Sequence, residues 1–128
     1  MELEVRSEIY RLGLTVTGLD ANNFFYARAQ QSITVDSYCV YSIIANTMSR
    51  DTGSKFEDIY FQFNIYATNL SDAETIEQNL ISVFDDSESN WTLINFSVLN
   101  IVREFRTELR PFDKWQIAIR YHLKLMRN

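Results

Sequence analysis

The spacing of apolar and polar positions changes period several times along the chain, and each change marks an element. Over residues 2–12, Val5, Ile9 and Leu12 fall on one helical face. Glu2 and Glu4 stand in the first turn and Arg11 in the last, so the charges oppose the helix dipole at both ends. Gly13 suits the position just past the helix end. The stretch Leu14-Thr15-Val16-Thr17-Gly18 is rich in β-formers but short. Residues 24–29 read as a strand, and residues 38–44, dominated by β-branched and aromatic side chains, as a stronger one.

A polar segment, residues 46–55, follows. Beyond it, Phe61, Phe63 and Ile65 alternate with Tyr60, Gln62, Asn64 and Tyr66, the period of a half-buried strand over 59–66. The two strands flank a long hairpin. A connection of that length reads two ways: as a segment that touches a partner, or as a solvated tip.

Residues 71–85 form the clearest helix. Ser71 and Glu74 have the spacing of a capping box, and Ala73, Ile76, Leu80, Val83 and Phe84 make one apolar stripe. After the acidic turn Asp85-Asp86-Ser87-Glu88 come two strands. In the first, Phe96 and Val98 share one parity while Leu99, Ile101 and Phe105 share the other, which predicts a bulge near Val98-Leu99. Pro111 marks the turn between them. In the second, Trp115, Ile117, Ile119, Tyr121, Leu123 and Leu125 face one way, committing one sheet face to a core. The order is helix, three strands, helix, two strands. It predicts an α+β fold, a four- to five-stranded and mostly antiparallel sheet with two main helices packed on one face.

Composition narrows the function. The 128 residues amount to a single domain, 1–128, without repeats or a linker. Apolar residues make up 46% and charged residues 23%, which is globular rather than disordered composition. Three Gly and one Pro leave no room for a Gly-rich phosphate loop or a Pro-rich linker. A net charge of −5 speaks against a general nucleic-acid binder. The single cysteine, Cys39, excludes an intrachain disulfide and sits in an apolar run, where a buried, inert thiol is expected. The acidic start lacks the pattern of a signal peptide, and no apolar run approaches the roughly 20 residues of a membrane helix. Synthesis in a reducing cytoplasm is the expectation.

Catalytic chemistry has little to stand on. The one histidine, His122, lies on the polar face of the last strand between Arg120 and Lys124, and no activated nucleophile accompanies it. One Cys and one His cannot make a zinc site. Asp85, Asp86 and Glu88 offer oxygens for a hard cation but lack the glycine and spacing of a calcium loop. They read as a solvated loop or as an acidic contact surface. No catalytic, cofactor-binding or metal-ligating residue is nominated, and no enzymatic role is expected.

Charge is unevenly spread. Residues 1–102 hold five basic and fourteen acidic side chains, whereas residues 103–128 hold seven basic and three acidic. Pairing within the chain accounts for this, or a basic surface of one subunit meeting an acidic surface of the next. Nine Arg against three Lys lean toward interfaces. The candidate partner-contact residues are Met48, Arg50, Asp51 and Lys55 of the hairpin loop, Asp85, Asp86 and Glu88 of the acidic turn, and Arg120 and Lys124 of the last strand.

Several of these features together resemble the tail-completion proteins of tailed bacteriophages, the tail-terminator or neck proteins that cap the tail tube and join it to the head. They are the short N-terminal helix; the Tyr38-x-Val40-Tyr41 strand leading into a long polar loop; the strand over 61–67 running into the helix at 71–84; and the alternating Trp115-x-Ile117-x-Ile119-x-Tyr121-x-Leu123 ribbon. The likeness spans residues 3–125. Where relatives often carry a proline before the second strand, this chain has Asp36-Ser37. The resemblance implies a non-enzymatic virion part, usually a hexameric ring of identical copies. It further implies contacts with the tail tube protein and the head-connector protein, and an acidic lumen through which DNA slides without specific binding. Loop 46–56 is then the contact with the tube or connector. A different class stays open beside it: a small soluble α+β module that binds an anion on Gln116, Arg120, His122 and Lys124.

Overall fold

The computed structural model describes residues 2–27, 35–48, 56–110 and 113–128. Helix α1 spans Glu2–Gly13, followed by strands β1 (Phe24–Tyr26), β2 (Ser37–Met48) and β3 (Phe56–Ala67). Helix α2 covers Leu70–Phe84, and a single 3-10 turn, Glu88–Asn90, leads to β4 (Phe96–Leu109) and β5 (Trp115–Arg127). The strands form one sheet in the order β1-β2-β3-β5-β4. Among the described residues, β1 and β2 run parallel and the other three ladders are antiparallel. The expected α+β class and element order are both present.

Strict alternation along β3 and β5 makes the sheet two-sided. Ile59, Phe61, Phe63 and Ile65 of β3 and Ile117, Ile119, Tyr121, Leu123 and Leu125 of β5 are fully buried on the helix side. Against them pack Val5, Ile9 and Leu12 of α1 and Ala73, Ile76, Leu80 and Phe84 of α2. Aromatic rings fill the centre: Phe63 meets Phe84 at 4.8 Å between centroids, and Phe61 stacks on Tyr121 at 5.5 Å. Each such pair contributes about 1 kcal/mol beyond the area it buries.

Residues 14–18, rich in β-formers, form turns. The amides of Leu14, Thr15 and Val16 bond back to Tyr10, Leu12 and Gly13, which continues the winding of α1 and drops Val16 into the core. Gly13 is the last helical residue and not a left-handed cap; an added Cβ there would lie 2.2 Å from the ring of Phe24. The Ser71–Glu74 capping box does not form. Leu70 packs against the core and starts α2 one residue early, so Asn69 takes the N-cap position without a side-chain cap bond.

A third correction, after those at Gly13 and Ser71, concerns β4. The predicted bulge is present at Leu99, but a second lies at Glu104. Two register shifts place Ile101, Arg103 and Arg106 opposite core residues of β5, whereas Phe105 stands opposite Arg120 on the other side. Pro111 lies outside the described residues.

Candidate assembly surfaces

The hairpin candidates are described only at their base. The backbone of Met48 pairs with Glu57 at the end of the β2–β3 ladder. Arg50, Asp51 and Lys55 lie outside the described residues.

The acidic turn is a clasp more than a solvated loop. Asp85 accepts both forks of Arg103 at 3.2 Å and the Tyr121 hydroxyl at 2.6 Å. Burial, with the carboxylate beside it, pushes the Tyr121 phenol well above its usual range and keeps it a donor. Glu88 accepts the Ile101 amide at 3.3 Å, and buried Ser87 accepts the Trp91 indole N–H at 3.0 Å. Two of the three carboxylates thus tie the end of α2 to β4. Asp86, at φ 56°, remains exposed. Among the described residues, no group of three or more His, Cys, Asp or Glu side chains is placed to hold a metal ion.

Pairing within the chain absorbs part of the basic segment 103–128. Arg103 goes to Asp85, Arg106 to Glu77 and Glu108, and Arg127 to Glu57. Four other cations lie over aromatic rings: Arg110 over Trp115, Lys114 over Tyr38, Arg120 over Phe105 and Lys124 over Phe56.

The last three of these rings belong to the second face of the sheet. Among the described residues, no helix covers it. Tyr60, Gln62, Asn64 and Tyr66 of β3 lie there beside Gln116, Ala118, Arg120 and His122 of β5 and Val102 and Phe105 of β4. Gln62 and Gln116 both donate to the Asn64 carbonyl, at 2.9 and 3.4 Å. His122 stacks on Tyr60 at 4.5 Å and meets Asp58 at 2.7 Å through Nε2. Arg120 reaches Gln62 Oε1 at 3.4 Å, and its Nε is buried with no hydrogen-bond partner among the described residues. Gln116, Arg120, His122 and Lys124, grouped by parity in the sequence, therefore each have a separate neighbour. Val102 and Phe105 remain 45% and 40% exposed at the rim. Sequence reasoning missed Phe105 as a member of this face. The matching polar parities of residues 60–66 and 116–124 were the available signal for the rest.

Cys39 is fully buried, and burial pushes its thiol far above the usual range, as an inert core cysteine requires. Among the described residues, no helix is long and apolar enough to cross a membrane.

The fold defines an α+β protein whose sheet has one helix-covered face and, among the described residues, one open face, and a chain of a gene transfer agent virion has a similar fold. A chain in the virion of a native gene transfer agent particle superposes with a TM-score of 0.64 and 10% identity, over 98% of this chain and 90% of that one. A second solved structure matches with a TM-score of 0.53 and 13% identity, over 96% and 95%. At such identities the shared property is the fold. No protein-family model and no curated protein matches the chain.

Proposed function

We propose that this chain is a structural protein of a tailed-phage-like virion, acting as a tail terminator or neck ring that caps the tail tube and joins tail to head. The observation that carries the reading is the likeness to a chain of a gene transfer agent virion over nearly the whole length of this chain. The sequence resemblance to tail-completion proteins points the same way independently. In this role the chain performs no catalysis. It works as copies of itself, in a ring of six in the virion, between the tail tube protein and the head connector. The net charge of −5 suits a channel wall that passes DNA without retaining it. Assembly takes place in the host cytoplasm, and no membrane is involved.

The test is complementation of tail joining. Replacing Arg50, Asp51 and Lys55 together with Ala is expected to leave the circular dichroism spectrum unchanged and to leave heads and tails separate in electron micrographs. Normal joining by that variant removes the loop from the contact. Full particle assembly in the absence of the chain removes the role.

A further inference from the structure

We infer that the open sheet face of one copy docks on the outer face of α2 of a second copy, so that identical chains associate front to back. The inference rests on the assembly reading above and names the surfaces that carry it.

The open face is basic by construction. Lys114, Arg120 and Lys124 stand over Tyr38, Phe105 and Phe56, and Asp58, already bonded to His122, is the one carboxylate at the described ladder positions of that face. Arg120 occupies its centre, and its hydrogen bond from Nη2 to the Gln62 amide oxygen is a long 3.4 Å. A guanidinium held that loosely can donate from its Nη groups to an incoming carboxylate, which accepts two parallel N–H bonds at once. Half-exposed Val102 and Phe105 beside it supply apolar area that a partner would cover.

The complementary surface is on the opposite layer of the same molecule. Helix α2 contains no Lys or Arg. Its Glu77 is taken by Arg106, which leaves Asp72 and Glu74 exposed on the outer side, Asp72 with only a 3.4 Å bond from Asn69. A contact between two copies of the same face sets like charges together and is disfavoured. Front-to-back contact sets Arg120 and Lys124 against Asp72 and Glu74. Such an interface uses two different patches, so each copy keeps one of each kind free until the rotation closes a ring.

The experiment measures the mass of the purified full chain by light scattering at low and high salt. The wild type is expected to associate, and to dissociate as salt rises. Arg120→Glu, and separately Asp72→Arg with Glu74→Arg, are each expected to raise the dissociation concentration about tenfold or more, with melting curves unchanged. Joining all three substitutions in one chain is expected to restore association. If Arg120→Glu does not fold, Lys124→Glu takes its place in the same cycle. A wild type that stays monomeric at its highest soluble concentration overturns the inference. So do reversals that fold and leave the mass unchanged, or a combined variant that stays dissociated. Failure of the assembly role reads differently: copies would associate through these charges and yet be absent from particles.

Discussion

The guanidinium of Arg106 reaches from β4 to Glu77 of α2, with Nε 2.5 Å from Oε2 and Nη2 3.1 Å from Oε1. Glu77 is 3% exposed, so this fork is what makes a carboxylate tolerable in the apolar stripe of α2. The bonds to Glu77 raise the affinity of the guanidinium for its proton and keep it charged. Arg106→Ala leaves the carboxylate buried without its partner. The expected loss is about 2 kcal/mol, below the range for a fully buried pair because Arg106 itself is partly solvated. Glu77→Gln, which keeps a hydrogen-bonding oxygen, is expected to lose less. Urea unfolding of both variants checks the order.

Gly13 gives a substitution whose sign opposes helix propensity. In an exposed helix, Gly→Ala stabilises by roughly 1 kcal/mol. Here the new Cβ would lie 2.2 Å from Cε2 and 2.5 Å from Cζ of Phe24. That ring is itself clamped, stacked on Tyr41 at 4.6 Å, and cannot step aside. Gly13→Ala is expected to destabilise by about 1–3 kcal/mol, as overpacking does. A thermal midpoint equal to or above that of the wild type would contradict the close approach.

Glu8 links stability to pH. Arg11 donates to it at 2.7 and 2.9 Å, and the Thr92 amide donates at 2.5 Å, so α1 holds the segment before β4. The Arg11 bond, with smaller help from Thr92 and from the guanidinium charge, holds the Glu8 carboxyl below its ordinary value against the opposing effect of burial. A folded-state value below the unfolded one favours folding above the ordinary glutamate value of about 4.3, and that contribution disappears as pH falls through the lower, folded value. Glu8→Gln is expected to be less stable than the wild type at neutral pH. The gap should close under acid, as denaturant midpoints at several pH values would show.

The parts of the fold legible in the sequence are those where one face alone is buried. The alternation in β3 and β5 and the stripe in α2 each obey one period from end to end, so sheet and helix follow directly. Failures occur where a tertiary contact outranks a local signal. Leu70 docks on the core and displaces the Ser71 cap. The end of α1 keeps winding and claims residues 14–16, whose composition favours a strand. The second bulge at Glu104 was hidden because Phe105 is a lone apolar residue among charged neighbours and fits either parity. The surfaces were less legible still. Asp85 and Glu88 look solvated in a row of acids, yet their partners Arg103, Tyr121 and the Ile101 amide are 13 to 36 positions away.

One edge of the sheet is β4, a strand of 14 residues broken by two extra residues at Leu99 and Glu104. Each irregularity twists the strand and spoils the even row of amides and carbonyls that another strand would need for zipping on. Crowded beside copies of itself, a chain built this way resists fusing into a continuous ribbon along this edge. A neighbouring protein that reaches this edge finds side chains to pack against and no regular ladder to extend.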